Sequence, residues 1–203
     1  MASSHPRFHY GWVVIIVGTL VVFGSLGLAR FSYTVMLPVM QESLAMDNTQ
    51  AGALATANLV GYLALSVIGG ALAARYGPRL IISVALALAG VGMLLTGLAN
   101  GFLSAAVCRA VVGVGSGASN VPMMGLLSAW FAPRRRGFAS GIVVAGSSVA
   151  LIFLGTLVPR ILYAYGENGW RMCWFIFGGV TLLLAVGGFI FLRNHPAEKG
   201  LKP

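Results

Sequence analysis

Charge is what this sequence has least of. Of its 203 residues only 8% are charged, against about 25% in soluble domains. Just four residues are acidic: Glu42, Asp47, Glu167 and Glu198. So few charges cannot cover a water-facing surface. Histidine is limited to His5, His9 and His195, all outside the apolar runs. No His-Glu-x-x-His pattern occurs, and no two acids share an apolar run. Hydrolysis inside a membrane by a serine nucleophile needs a base within reach, and Ser116, set among glycines, has none in sequence. No catalytic residue, metal site or cofactor is therefore expected, and the chain does not read as an enzyme. The two cysteines, Cys108 and Cys173, lie inside apolar runs and read as packing thiols, too few for a disulfide framework. A cleavable leader is not expected, because the first apolar run is long and no small-residue site closes it.

What is abundant is apolar surface: 58% of residues are hydrophobic and 28 are glycine. Six runs approach the ~20 residues that cross a bilayer core. They predict helices over 11–39, 49–74, 80–99, 104–130, 138–163 and 170–192. Residues 1–10 form a short polar start, 11–193 a six-helix bundle, and 194–203 a polar tail. Asn48 or Thr49 is the expected N-cap of the second helix. The third, with no charge at all, reads as a lipid-facing wall. Pro122 is expected to kink the fourth.

The net charge of +9 reads as membrane anchoring rather than a nucleic-acid footprint. Lys and Arg gather on the cytoplasmic side of membrane proteins. With the N-terminus inside, nine of the thirteen cations fall inside: Arg7, Arg75, Arg79, Arg134, Arg135, Arg136, Arg193, Lys199 and Lys202. Glu42, Asp47 and Glu167 fall outside. The expected topology is N-in and C-in, multi-pass, in the plasma or inner membrane. Arg160 and Arg171 sit near the outer surface, where long side chains can snorkel. Arg30 and Arg109 do not.

An arginine at the centre of a spanning helix costs roughly 2.5–3.5 kcal/mol on insertion scales. Such a group persists when it faces protein, water or a ligand. Arg30, with no acid in its own run, is the candidate anion contact of a membrane carrier. Arg109 serves equally well as a structural donor to a neighbouring helix or as a binding group. Asn58 and Tyr62, four residues apart, share one helix face. Arg109, Gly113, Ser116 and Asn120 form another stripe. The candidate binding set is therefore Arg30, Tyr33, Asn58, Tyr62, Arg109 and Asn120. Two arginines with no acid among them favour a small organic anion.

Several motifs carry a family resemblance. Gly70-Ala71-Leu72-Ala73-Ala74-Arg75-Tyr76-Gly77-Pro78-Arg79 resembles the signature loop between helices 2 and 3 of the major facilitator superfamily, with Gly70, Arg75, Gly77 and Arg79 matching. Gly70 is expected to permit close helix packing. The family's acid is Ala74 here, so its charge latch is missing. Arg109 to Gly117 is similar to the Arg-and-Gly motif of the fourth helix. Trp130-Phe131-Ala132-Pro133-Arg134-Arg135-Arg136-Gly137, with Ala145-Gly146-Ser147, resembles the fifth-helix signature of the monocarboxylate and oxalate/formate porter branch. Gly11-Trp12 and the distance to Arg30 match that branch too.

The resemblance implies an all-α membrane fold: the N-terminal six-helix half of a carrier, built from a 3+3 inverted repeat. Gly70…Arg75 and Gly155…Arg160 share a spacing that fits such a repeat. It also implies secondary active transport by alternating access, of a monocarboxylate or dicarboxylate. Helices 1 and 4 are expected to line the cavity. A second expectation stands beside it: a truncated or half-size domain, not transporting alone, that needs a C-terminal half or a homodimer partner.

Overall fold

The computed structural model describes residues 10–199, and these are helical almost throughout. Helix α1 (Gly11–Ser43) is followed by α2 (Asn48–Tyr76), α3 (Pro78–Gly97), α4 (Phe102–Trp130), α5 (Pro133–Tyr165) and α6 (Gly169–Phe191). From Pro133 to Phe191 the chain forms one continuous helical run of 59 residues by composition. Drawn straight it would measure about 90 Å, three times the bilayer core. It reverses instead at a single 3-10 turn, Gly166–Asn168, where Gly166 takes φ 54°. Six spans result, and the even count returns the chain to its starting end. There the Tyr10 hydroxyl donates to the Phe191 carbonyl (2.6 Å).

Small residues set the helix contacts. A Cβ on Gly113 would strike the Asn58 carbonyl oxygen, and one on Gly117 that of Tyr62. Gly61 lies against Ala110, and a Cβ added to Gly69 would come 2.7 Å from the Ala118 Cα. These contacts run in step, so α2 and α4 are parallel and nearly backbone to backbone. Helix α1 pairs with α5 in the same parallel sense, through Gly27 on Ala150 and Gly146 on Thr19. Helices α3 and α6 meet antiparallel, with Gly90 at Gly178 and Gly97 at Arg171. Exchanging α1 with α4 and α2 with α5 maps the first pairing onto the second. This is the contact pattern of a 3+3 inverted repeat.

Five details differ from the sequence reading, the first being that α5 begins at Pro133 rather than 138, because a proline at the first helical position is pre-set for helix. Helix α1 continues beyond residue 39 to Ser43, because Pro38 removes one hydrogen bond without forbidding helix on its C-terminal side. The N-cap of α2 is Asp47, not Asn48 or Thr49. Its carboxylate accepts from the Gln50 N–H (2.7 Å) and its own N–H donates to Gln50 Oε1 (3.2 Å), a closed capping box. Helix α3 is no simple lipid wall: Ile82, Ser83, Ala85, Leu86, Ala89, Gly90, Met93 and Thr96 are buried against α4 and α6. Its buried face mixes small residues with Ile82, Leu86 and Met93, while Leu80, Val84, Leu88 and Leu95 point outward. The close-packing glycine of the signature stretch is Gly69. A Cβ on Gly70 would meet only ordinary contact, 3.8 Å from Val121.

The signature loop ends in Gly77 at φ 91°, a left-handed residue that stops α2 and starts α3. Asn194 lies directly against it. The Asn194 Oδ1 accepts from the Arg79 N–H (2.9 Å), and Arg79 Nε donates to the Phe189 carbonyl (2.6 Å). Trp130 Nε1 donates to the Arg193 carbonyl (2.9 Å). The end of α6 is thus tied to both loops at this end of the bundle.

Candidate functional site

The middle of α1 departs from α-helical winding. Phe23–Phe31 is π-helical, one wide stretch that holds Arg30 at its end. Such insertions occur often at functional sites, because the wider turn aims backbone groups away from the regular ladder. Here the Ala29 carbonyl takes an outside donor: Arg109 Nη1, at 2.8 Å.

Arg109 is 1% exposed. Its guanidinium lies between two aromatic faces, 4.9 Å from the Tyr33 ring centroid and 5.0 Å from that of Trp174. Two ring quadrupoles and a carbonyl take the place of a counter-ion. Its Nε is buried without an acceptor. Asn58, 2% exposed, turns its Nδ2 to the Arg109 carbonyl (3.0 Å), and the Tyr33 hydroxyl donates to the Ala51 carbonyl (2.8 Å). Arg109, Tyr33 and Asn58 therefore brace α1, α2, α4 and α6 against one another.

Arg30 is placed differently. It is half-buried, and its guanidinium rests 5.2 Å above the Tyr62 ring. All four acids of the chain lie at helix ends or in the tail, so no carboxylate stands inside a span. Tyr62 is held from behind by Asn120, whose Nδ2 donates to the Tyr62 oxygen (3.0 Å). That bond leaves the phenolic hydrogen free to donate elsewhere. The buried Asn120 Oδ1 has no donor.

A cavity of about 300 Å³ opens between α1 and α2, lined by Arg30, Tyr33, Thr34, Thr56, Asn58 and Arg109. Of these, Arg30, Thr34 and Thr56 present accessible side chains, while Tyr33, Asn58 and Arg109 form its buried floor. The six sequence-derived candidates thus fall into two groups: Arg109, Tyr33 and Asn58 in the brace, and Arg30, Tyr62 and Asn120 in a chain of contacts of which only Arg30 lines the opening. The sequence reading omitted Trp174, the second face of the Arg109 sandwich. Its position in an apolar run gave no signal beyond its size.

The signature-loop residues Gly70 and Gly77 border a separate groove of about 400 Å³ with Ala74, Pro122 and Asn194. Arg75 leans over the ring of Tyr76, 5.3 Å away. Arg134, Arg135 and Arg136 are exposed at the start of α5. Among the described residues no group of three His, Cys, Asp or Glu side chains is gathered as a metal would require.

A multi-pass helical membrane protein with an inverted repeat and a charged residue beside an intramembrane cavity has the build of a transporter half. The chain belongs to the Major Facilitator Superfamily, whose profile matches residues 16–203. It is 28% identical over 167 residues to a probable sulfoacetate transporter of Cupriavidus necator, covering 82% of this chain and 38% of that protein. It is 26% identical over 171 residues to a hexuronate transporter of Bacillus subtilis, covering 84% and 40%. To human monocarboxylate transporter 1 it is 28% identical over 192 residues, covering 94% and 37%. Among solved structures, it resembles a bacterial homologue of the human lysosomal transporter Spinster, inward-facing and unoccupied. The TM-score is 0.79 at 21% identity, covering 96% of this chain and 45% of that one. The chain thus spans about two fifths of the length of these curated relatives. All three carry transporter names, not enzyme names.

Proposed function

We propose that this chain supplies the α1–α6 half of a secondary transporter that moves a small organic anion by alternating access, a monocarboxylate or dicarboxylate, with Arg30 as the anion contact. The observation that carries the proposal is the contrast in Arg30's surroundings. It is a fixed charge inside a span, beside an opening, with an aromatic face beneath it and no carboxylate to neutralise it. An intramembrane charge of that kind marks a substrate or ion path by default. A guanidinium binds carboxylate or sulfonate oxygens through charge-assisted hydrogen bonds. Tyr62, set by Asn120, offers a second donor. The names of the relatives, sulfoacetate, hexuronate and monocarboxylate transporters, agree in charge.

The proposed orientation is N-in and C-in, in the plasma or inner membrane. The end bearing Arg75, Arg79, Arg134, Arg135, Arg136 and Arg193 faces the cytoplasm, following the positive-inside rule. A six-helix partner completes the carrier. Helix α2 leaves Val60, Leu63, Val67 and Ile68 exposed, and α5 leaves Val149, Leu151 and Ile152 exposed. The chain covers only 37–40% of its compared relatives. The partner is a C-terminal half or a second copy.

Uptake of labelled sulfoacetate, a hexuronate and lactate into proteoliposomes holding the assembled carrier tests the reading. Arg30→Ala is expected to abolish uptake while leaving insertion unchanged, and Arg30→Lys to keep part of it. Undiminished uptake by the alanine variant across all three anions rejects Arg30 as the contact.

A further inference from the structure

The basic end of the bundle carries a second feature that anion transport does not use. A groove of about 350 Å³ lies between the start of α1 and the start of α5, lined by Trp12, Ile15, Phe131, Arg135 and Phe138 among others. Its walls are apolar and its mouth is cationic. Trp12 is 47% exposed and Phe138 65%. Ile16 and Leu20 continue the apolar wall one turn at a time along α1 and are likewise exposed. Arg135 stands in its lining, and its sequence neighbours Arg134 and Arg136 are exposed as it is. Arg136 Nε donates to the Phe131 carbonyl (2.9 Å). The guanidinium groups of Arg134 and Arg135 have no acceptor among the described residues.

We propose that this groove holds an anionic phospholipid, its phosphate against Arg135 with Arg134 beside it, and one acyl chain along Trp12, Ile16 and Leu20. Each part of that ligand meets the surface that suits it. A soluble anion would use the arginines and leave the aromatic walls wet. A zwitterionic lipid would use the walls and gain little from two unpaired cations. Large aromatic rings settle at the depth of the lipid headgroups. Basic clusters next to a spanning helix enrich anionic lipid by about fivefold per cation. No acid stands next to the arginines in sequence, and the one described acid at this end of the bundle, Glu198, is engaged by the Asn194 and His195 N–H groups.

The test uses tryptophan fluorescence. Trp170 and Trp174 are buried, and Trp130, which also borders this groove, is 1% exposed, so Trp12 is the accessible indole there. The chain is placed in phosphatidylcholine vesicles containing equal small fractions of either brominated phosphatidylglycerol or brominated phosphatidylcholine. Trp12→Phe identifies the Trp12 signal. Brominated phosphatidylglycerol is expected to quench that signal more strongly than brominated phosphatidylcholine. The excess should fall about fivefold for each arginine neutralised in Arg135→Gln and then in the double Arg134→Gln/Arg135→Gln variant. Helical circular dichroism should stay unchanged, and the double lysine variant should restore the excess. Inorganic phosphate should leave it in place. Equal quenching by the two lipids overturns the proposal, as does an excess that survives both glutamine variants. Loss of the excess on adding phosphate assigns the arginines to a soluble anion and overturns it as well.

Discussion

Two arginines sit inside the spans of this bundle, and their surroundings are opposites. Arg109 is sealed, with one carbonyl and two aromatic faces as its partners. Arg30, seventy-nine positions earlier in the chain, shares a cavity wall with it yet has only the Tyr62 face beneath it and an opening beside it. Identical chemistry therefore divides into a buried brace and, in the proposed reading, an anion contact. What separates them is burial: Arg109 is closed in by the Tyr33 and Trp174 rings and the Ala29 carbonyl, whereas Arg30 stays half-exposed. The π-helical stretch of α1 ties the two together. It presents the Ala29 carbonyl to Arg109 while carrying Arg30 on the very next residue, so fixing the first arginine also fixes the base of the second.

The comparison breaks most completely when α2 and α4 are parted. Gly113→Val puts a branched side chain into the Asn58 carbonyl and within 3.0 Å of the Tyr62 N–H, both backbone atoms that cannot step aside. The expected cost is about 3 kcal/mol, the upper end of overpacking losses. It should be read as lost monodispersity in detergent and a lowered midpoint of unfolding. Gly141→Ala, with open space around its Cβ, serves as the neutral control.

Next in size is Arg109→Met. It keeps much of the volume but strands the Ala29 carbonyl and empties the ring sandwich. Stability should fall by about 2–3 kcal/mol, seen as a lower melting temperature with or without anion. Arg109→Lys should recover little of this, because an ammonium lacks the flat guanidinium that stacks between Tyr33 and Trp174. A melting temperature unchanged by Arg109→Met would place Arg109 with Arg30 rather than opposite it. The smallest effect is expected from Asn120→Ala. It removes one hydrogen bond to Tyr62, worth about 1 kcal/mol, and should weaken anion binding several-fold through Tyr62 while leaving the brace intact. Binding titrations set beside melting curves would separate the two.

Much of the architecture could be read without coordinates, because crossing a bilayer forces long apolar runs and the chain has little else. The two unexplained arginines and the Asn58–Tyr62 face were visible for the same reason, as rare polar groups stand out against hydrocarbon. What escaped the sequence depends on backbone geometry. No residue type announces the π-helical winding of Phe23–Phe31. Whether Arg109 was brace or ligand turned on Tyr33 and Trp174 closing over it, a tertiary outcome. Gly69 and Gly70 are adjacent and chemically identical, and only the rotation of α2 decides which one meets Ala118. Helix α3 misled because a helix with no charge in its interior can still bury one whole face against its neighbours.

Thermal unfolding of wild-type and Arg30→Ala protein, with and without saturating organic anion, tests the division of labour most directly. Without anion the two should melt close together, since the one described partner of the Arg30 guanidinium is the face of the Tyr62 ring. Anion at about a hundred times its dissociation constant should stabilise the wild type by about 2.7 kcal/mol and leave the alanine variant where it was. An equal rise in both would contradict the account, because the anion would then be held elsewhere.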